Sequence, residues 1–411
     1  MPKKTIADLG DLRGKRVLVR VDFNVPMDPT GGVTNDRRIN GALPTLNALL
    51  DAGAALVVMT HVGQPEGDPT AVDFRAANKR LAIAKIAERF HQRLNRPVTS
   101  VDAVVGPEVS AAVAKLQPGE TLVLQNLRFH PGEKAKSKEF ATELAALADI
   151  YVNDAFGTCH RSDASMVAVP AAFRMAGKPR VVGKLVAKEL QILDTLLSNP
   201  GRPMLGLLGG AKVSDKIGFI KALLGRVDRV LIGGAMTYLF MKAEGRGIGN
   251  SFYESKTKDG QKSPIQLAQE ILALAKGKMV LPVDHLVVTD LASPQSARVV
   301  AGDIPDGTAG VDIGPETIEL YQQEIAKAAT VVWNGPMGKF EDEPYSKGTR
   351  TIAAALAASK GTTVVGGGET AEAVEEFGLA EKMTHVSTGG GAFLEYVEGT
   401  PFQALGEIDD K

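Results

Sequence analysis

Two apolar patterns alternate along the chain. Short runs of valine, isoleucine and leucine end in glycine or polar loops, and Ala/Leu-rich segments of helical period follow them. Continuous apolar runs of that length suit strands covered on both faces, and the segments between them suit crossover helices. A first series predicts strands over 16–21, 55–60, 121–125 and 149–152, with helices over 80–94 and 138–148. A second predicts strands over 204–208, 227–232, 278–281, 330–333, 362–365 and 384–387, with helices over 266–275 and 349–358. Between the series, 184–197 reads as an amphipathic helix stopped by Asn199, Pro200 and Gly201.

The pattern predicts an α/β protein with two Rossmann-like three-layer α/β/α domains, each on a parallel central sheet. The expected divisions are 1–180, a connecting hinge helix over 181–198, and 199–399. No sequence recurs at a fixed period, so the chain is not a repeat array.

A length of 411 residues exceeds one ordinary core and agrees with two domains. The formal net charge of -1 gives no footprint of a nucleic-acid binder, so a cationic site has to be a local cluster. A single cysteine, Cys159, allows neither an internal disulfide nor a cysteine-based zinc cage, which points to a reducing compartment. The opening MPKKTIADLGDLRGK has no apolar stretch of the kind a signal peptide or membrane span needs. The expectation is a cytoplasmic protein with no membrane partner.

Five places in the second half join a strand end, glycines and a helix start: LGLLGGAKVSDK, VLIGGAMTYL, VVWNGPMGKF, TVVGGGETAEAV and VSTGGGAFLEYV. Helix N-termini at the carboxyl ends of parallel strands present free N–H groups to anions, and glycine lets backbone approach phosphate closely. One junction alone is more often a tight connection; five together, with Lys212, Lys216 and Glu369 among them, point to a polyphosphate site. Gly366, Gly368 and Ala371 also fit a dinucleotide-binding fingerprint. That fingerprint wants an acidic residue about twenty positions on, where this chain has Thr384, His385, Val386 and Ser387. A Walker A loop is absent.

In the first half several strand ends run into polar loops with cations: Arg20 in RVDFNVP, Arg38 in NDRRI, His61 in THVGQP, Arg128 in QNLRFH, and His160 and Arg161 in FGTCHRSD. Arginine suits a bidentate grip on phosphate or carboxylate. Each alone reads as a solvated charge; their shared position at strand ends argues for a site. Asp22 and Asn24 stand beside Arg20, in reach of a substrate hydroxyl. His61 and His160 have no metal-cage spacing and read as anion-site donors. Cys159 and His160 are sequence neighbours and not a nucleophile–base pair.

The strings RVDFNVP, THVGQP, LQNLRFH, VNDAFGTCHR, LLGGAKVSDKI, WNGPMGKFE, VVGGGET and STGGGAFLE, in that order, resemble the signature set of the phosphoglycerate kinase family over nearly the whole chain. The resemblance implies transfer of a phosphoryl group between 1,3-bisphosphoglycerate and ADP, giving 3-phosphoglycerate and ATP, with Mg2+, in glycolysis, gluconeogenesis and carbon fixation. It implies a monomer whose segment after Gly399 returns to the first domain and whose hinge closes the domains on the substrates. By matching positions, Asp22, Asn24, Arg38, His61, Arg128 and Arg161 would hold the triose acid, with Arg20, Gln64 and His160 in the same patch. Gly209, Gly210, Lys212 and Lys216 would contact the nucleotide phosphates, Gly310, Val311 and Asn334 the nucleoside, and Glu341 the ribose. Gly367, Gly368, Glu369 and Thr370 would form the magnesium–phosphate end, with Glu369 as the metal ligand. Arg38, Lys212 and the helix start at Gly389, Gly390 and Gly391 would stabilise the moving group.

Both possible nucleophiles of that reaction, a carboxylate and a nucleotide phosphate, are ionised at neutral pH, so no general base is needed. Two positions depart from the family: Gln64 stands where an arginine is usual, and Glu369 where an aspartate is usual. Gln125, Asp163 and Phe393 also differ. The competing readings are a nicotinamide-dependent dehydrogenase and a catalytically inactive nucleotide-binding protein.

Overall fold

A computed structural model of the protein describes residues 2–256 and 262–411. The chain forms two compact units, one running up to Gln191 and including Pro401–Lys411, the other spanning Ile192–Thr400.

The first unit is built on a six-stranded sheet in the order β3-β4-β2-β1-β5-β6. Its strands are β1 (Arg16–Val21), β2 (Ala55–Met59), β3 (Val98–Ser100), β4 (Thr121–Val123), β5 (Ile150–Asp154) and β6 (Arg180–Val182). All neighbours run parallel. Val17, Leu18, Val19 and Val21 of the central β1 have no exposed surface, which is why its apolar run shows no alternation. The helices Arg37–Asp51 and Ala84–Leu94 cover one face through Ile39, Leu46, Leu49, Ile86 and Phe90. The reading of a helix from residue 80 places its start too early. Lys79–Leu81 is a separate 3-10 turn, and the Ile83 N–H is taken by Gln125 Oε1 at 2.9 Å.

The C-terminal Pro401–Lys411 belongs to this unit through long-range backbone pairing. Lys4 N–H donates to the Asp409 carbonyl at 2.8 Å, and Asp409 N–H to the Arg180 carbonyl at 3.0 Å.

The second unit has a parallel sheet in the order β15-β14-β13-β7-β8-β9. Here β7 is Met204–Leu208, β8 Arg229–Ile232, β9 Met279–Val280, β13 Thr330–Asn334, β14 Thr362–Gly366 and β15 His385–Val386. A further three-stranded antiparallel sheet, β11-β10-β12, comprises β10 (Asp284–Val288), β11 (Arg298–Ala301) and β12 (Ala309–Ile313). The sequence pattern gives no sign of it. Buried Asp284 and His285 open β10, Gly310 and Asp312 interrupt β12, and β11 is largely exposed, so no long apolar run marks them.

In both sheets the strand order reverses beside the first strand. In the first unit β1 and β5 lead off in opposite directions; in the second, β7 and β13 do. Ligands of open α/β sheets bind outside the carboxyl ends of strands at such reversals.

The helix Lys184–Ser198 begins in the first unit and continues into the second. Its N-terminus sits on Asp154, whose Oδ1 accepts from the backbone N–H groups of Leu185 at 3.0 Å and Val186 at 3.4 Å. Asp154 is fully buried, and burial pushes its carboxyl up to about 7 against these hydrogen bonds. An acid whose pKa is raised by folding binds more protons folded than unfolded between the two values, so stability falls as pH rises through that window. Thermal unfolding should show a stability loss from about pH 4 to about pH 7 that Asp154→Asn flattens. An unchanged slope in the variant would remove Asp154 from the account.

Candidate active site

The first unit gathers its cations around one imidazole. His61 follows β2 and is buried; its Nδ1 lies 3.2 Å from Arg20 Nη2 and its Nε2 lies 3.4 Å from Arg161 Nη1. Burial, and then the charges of Arg20, Arg128, Arg161 and Arg38, hold its pKa well below the usual imidazole range. His61 is therefore neutral at physiological pH. Four guanidiniums around a neutral ring suit an anion and offer no titrating base.

Each cation is placed by its element. Arg38 lies in the first turn of the helix Arg37–Asp51 and donates from Nη1 to Asp22 Oδ2 at 2.7 Å. Asp22 follows β1 directly, and its Oδ1 is 3.9 Å from His61 Nδ1. Asn24 Oδ1 accepts from the Gly63 N–H at 2.7 Å, and Arg128 donates to the Gly63 carbonyl, so the loop after β2 is held from both sides. Arg128 Nε is buried with no hydrogen-bond partner among the described residues. Its pKa is lowered by burial and then by Arg161, the signature of a cation that an incoming anion would relieve.

Two predicted residues sit at the margin. Gln64 is exposed on the loop after β2. His160 is partly buried with Nδ1 unpartnered, its ring 6.5 Å from that of Phe402, and its pKa is lowered by burial and by Arg161. Cys159 is no nucleophile: its thiol is fully buried beside Asn153 and Ala155, and burial pushes it up to about 12.

Residues with no cationic signal in the sequence hold this arrangement. Asn126 donates from Nδ2 to the carbonyls of Val62 at 2.9 Å and Leu81 at 3.0 Å, while its Oδ1 accepts from Val62 N–H at 3.0 Å and Arg128 N–H at 3.1 Å. One buried amide thus ties the loops after β2 and β4. Gln125 donates from Nε2 to Asp102 Oδ1 at 2.5 Å, an interaction that a carboxylate at 125 would turn into repulsion. Asp163 pairs with Lys134 at 3.1 Å.

The second unit builds its site from backbone. Gly209 N–H donates to the Asn334 carbonyl at 2.9 Å, Gly210 N–H to the Pro336 carbonyl at 3.0 Å, and Gly234 N–H to the Met337 carbonyl at 2.7 Å. The loops after β7, β8 and β13 therefore interlock. A Cβ on Gly209 would lie 2.0 Å from the Pro336 carbonyl oxygen, so only glycine fits.

Lys216 Nζ donates to the Gly209 carbonyl at 3.2 Å; burial lowers its pKa while Glu369 and Asp215 oppose the shift. Lys212 is exposed on the same loop. The helices Gly368–Glu376 and Gly390–Glu398 start beside each other, since a Cβ on Gly390 would stand 3.3 Å from Gly368 N. Gly367 and Gly389 are their N-caps and Gly391 lies in the second one's first turn, so two sets of free N–H groups converge.

The remaining predicted residues differ in environment. Asn334 donates from Nδ2 to the Gly366 carbonyl at 2.9 Å, while its Oδ1 is buried without a partner among the described residues. Thr370 is buried, and its hydroxyl accepts from Gly335 N–H at 2.6 Å, so it braces the cradle. Gly310 and Val311 lie on β12 of the antiparallel sheet, where Gly310 packs against Tyr238 and donates to Ser251 Oγ at 2.9 Å. The Val311 carbonyl accepts from Lys339 N–H at 2.8 Å, which connects that sheet to the loop after β13. Glu341 is exposed on that loop. Phe393 packs on Phe219 at 5.9 Å and fills the space left by Gly366.

The donor set fits magnesium in one manner only. Among the described residues no three His, Cys, Asp or Glu side chains group as a metal cage. Glu369 is exposed at a helix start, and a Cβ on Gly210 would lie 3.6 Å from its Oε2 and 3.3 Å from Lys216 Nζ. One carboxylate beside glycine loops and helix starts suits a small hard cation that keeps waters and takes its other ligands from a polyphosphate.

The chain matches the phosphoglycerate kinase family model over residues 6–400. It is 48% identical to "Phosphoglycerate kinase" of Rhodopirellula baltica over 413 residues, covering 100% of both chains. It is 47% identical to that of Gloeobacter violaceus over 421 residues, again covering 100% of both. Among solved structures, phosphoglycerate kinase from Coxiella burnetii superposes with a TM-score of 0.82 at 35% identity, covering 99% of this chain and 98% of that one. The enzyme from Pyrococcus horikoshii gives 0.83 at 31%, covering 98% of each. With the whole length matched, this chain belongs to the phosphoglycerate kinase family, kinases that transfer a phosphoryl group to and from a carboxyl group.

Proposed function

We propose that the protein catalyses reversible, magnesium-dependent phosphoryl transfer between 1,3-bisphosphoglycerate and ADP, giving 3-phosphoglycerate and ATP. The observation that carries this reading is the division of chemistry between the units. One holds four arginines around a neutral histidine, and the other holds glycine loops, two lysines and paired helix starts. The first suits a small phosphorylated carboxylate, the second a polyphosphate.

In this reading Arg128, Arg161 and His61 grip the triose acid, with the buried Arg20 behind His61 and His160 and Gln64 at the edge, and Asp22 and Asn24 orient its hydroxyl. Gly209, Gly210 and Lys216 line the nucleotide phosphates, and Asn334, Gly310, Val311 and Glu341 the nucleoside side. Glu369 would hold magnesium together with those phosphates, and the ion would supply neutralisation of their charge. Arg38, Lys212 and the N–H groups from Gly389 to Gly391 face the negative charge spreading over the transferred group. Because both nucleophiles are already anions, no proton has to move.

ADP release from ATP should depend on 3-phosphoglycerate and stop in excess chelator. Release without the acid, or nicotinamide fluorescence on binding, would overturn the reading. Gln64→Arg adds a cation at the rim of the triose-acid site, and the Michaelis constant for 3-phosphoglycerate should fall severalfold, on the order of one exposed charge contact. An unchanged constant would show that the position does not meet the substrate. Substrates held by separate units react only when brought together with water excluded. Small-angle scattering should therefore report compaction with both substrates bound, about the helix Lys184–Ser198 as hinge.

A further inference from the structure

A buried carboxylate behind the arginine cluster has no part in the chemistry above. Glu133, in the short helix Pro131–Lys134, has no exposed surface. Its Oε2 accepts from Ser165 N–H at 2.9 Å and its Oε1 from the Ser165 hydroxyl at 2.6 Å. The Glu133 carbonyl also accepts from Ala164 N–H at 2.9 Å, and Tyr151 Oη donates to the Ser165 carbonyl at 2.9 Å. Ser165 is therefore held on three sides.

A serine hydroxyl carries one proton, and here it is donated as a hydrogen bond to Glu133 Oε1, so toward Arg20 the Ser165 oxygen is an acceptor only. Arg20 Nε donates to it at 3.0 Å. Arg20 is fully buried, with Nη1 on the Val21 carbonyl and Nη2 aimed at His61 Nδ1 at 3.2 Å. Guanidinium nitrogens only donate, so Nδ1 has to accept, and the single proton of a neutral imidazole then sits on Nε2. Asp22 Oδ1, at 3.9 Å, is too far from Nδ1 to take a proton from it and reverse the assignment. At the other nitrogen Arg161 Nη1 stands at 3.4 Å, a second donor against a donor. That contact is unsatisfied until one acceptor receives both N–H groups, and an anionic oxygen is such an acceptor.

We propose that Glu133 is a positioning residue: acting through Ser165 and Arg20, it fixes His61 as the Nε2–H tautomer, so that His61 and Arg161 donate together to one anionic oxygen of the triose acid. The role of that oxygen rests on the function proposed above; the tautomer does not.

Long-range 1H–15N correlation on the full-length, ligand-free protein tests it, with His61 assigned by the signals lost in His61→Gln. The expected spectrum has a protonated Nε2 and an unprotonated Nδ1. Ser165→Ala removes the acceptor for Arg20, and Glu133→Gln lets an amide N–H point at Ser165 and turn its hydroxyl around. Both should shift His61 toward the Nδ1–H form and raise the Michaelis constant for 3-phosphoglycerate about tenfold, with turnover nearly unchanged. A purely structural role would move melting temperature and leave the tautomer alone.

Wild-type His61 protonated at Nδ1 overturns the inference without any variant having to fold. So does an unchanged tautomer in both variants. If the wild type transfers no phosphoryl group yet shows the Nε2–H form, the proposed function fails and the relay stands. An active wild type with Nδ1–H removes the relay alone.

Discussion

Arg38→Ala should lower turnover by about a hundredfold or more while the Michaelis constants change little. Removing one preorganised donor from transition-state charge typically costs on the order of 10²–10³ in turnover. Arg38 sits at the start of the helix Arg37–Asp51, pairs with Asp22 at 2.7 Å and keeps about a third of its side chain exposed, 32%. It is thus anchored at one nitrogen and open at the others, unlike the fully buried Arg20. Steady-state kinetics in both directions checks the split. A variant that keeps its turnover and loses only substrate affinity would move Arg38 from the transferring group to the ground-state grip. Arg38→Lys should recover only part of the loss, because an ammonium lacks the planar fork.

Gly209→Ala should abolish nucleotide binding and destabilise the second unit by roughly 1–3 kcal/mol or more, the range for forcing extra atoms into packed structure. The added Cβ would meet the Pro336 carbonyl oxygen at 2.0 Å and the Gly335 carbonyl oxygen at 2.7 Å. Those atoms are main chain and cannot rotate away. The Gly210 N–H to Pro336 carbonyl bond lies in the same contact, so the loop carrying Lys212 would have to shift as a whole. Calorimetric titration with ADP and a thermal melt measure the two effects. Gly225→Ala is the control: it sits at a helix end where the nearest atom to a Cβ is 3.5 Å away, so it should retain both nucleotide binding and stability. If Gly209→Ala binds ADP normally, the interlocked loops do not form the nucleotide cradle.

The two largest effects thus rest on opposite kinds of construction. Arg38 would act with a side chain whose identity is visible in the chain. Gly209 would act by having none, and the fit that requires a glycine there depends on a loop more than a hundred positions away. Residues of the first kind were readable because arginines at successive strand ends stand out against a nearly neutral composition. Asn126, Glu133 and Ser165 were not. A polar residue in a loop gives the same signal whether it faces water or braces a neighbouring loop, and only burial separates the two. The departures at 125, 163 and 393 likewise became intelligible once Asp102, Lys134 and Phe219 were seen beside them.

The sequence alone determined that the sheets are parallel and where their long strands lie, because strands buried on both faces must be apolar throughout and helices that cover them must be amphipathic; the three-residue edge strands β3 and β6 are too short to mark themselves. It also determined which loops carry cations and which carry glycines, since both signals are local in the chain. Only the tertiary structure decided that Arg20 is buried while Arg38 stays partly open. It alone placed the free N–H groups of two helices side by side, and revealed a third, antiparallel sheet whose strands are broken by polar residues and glycine or are exposed. Those features depend on contacts between residues distant in sequence, and periodicity along one chain carries no record of which distant segments will meet.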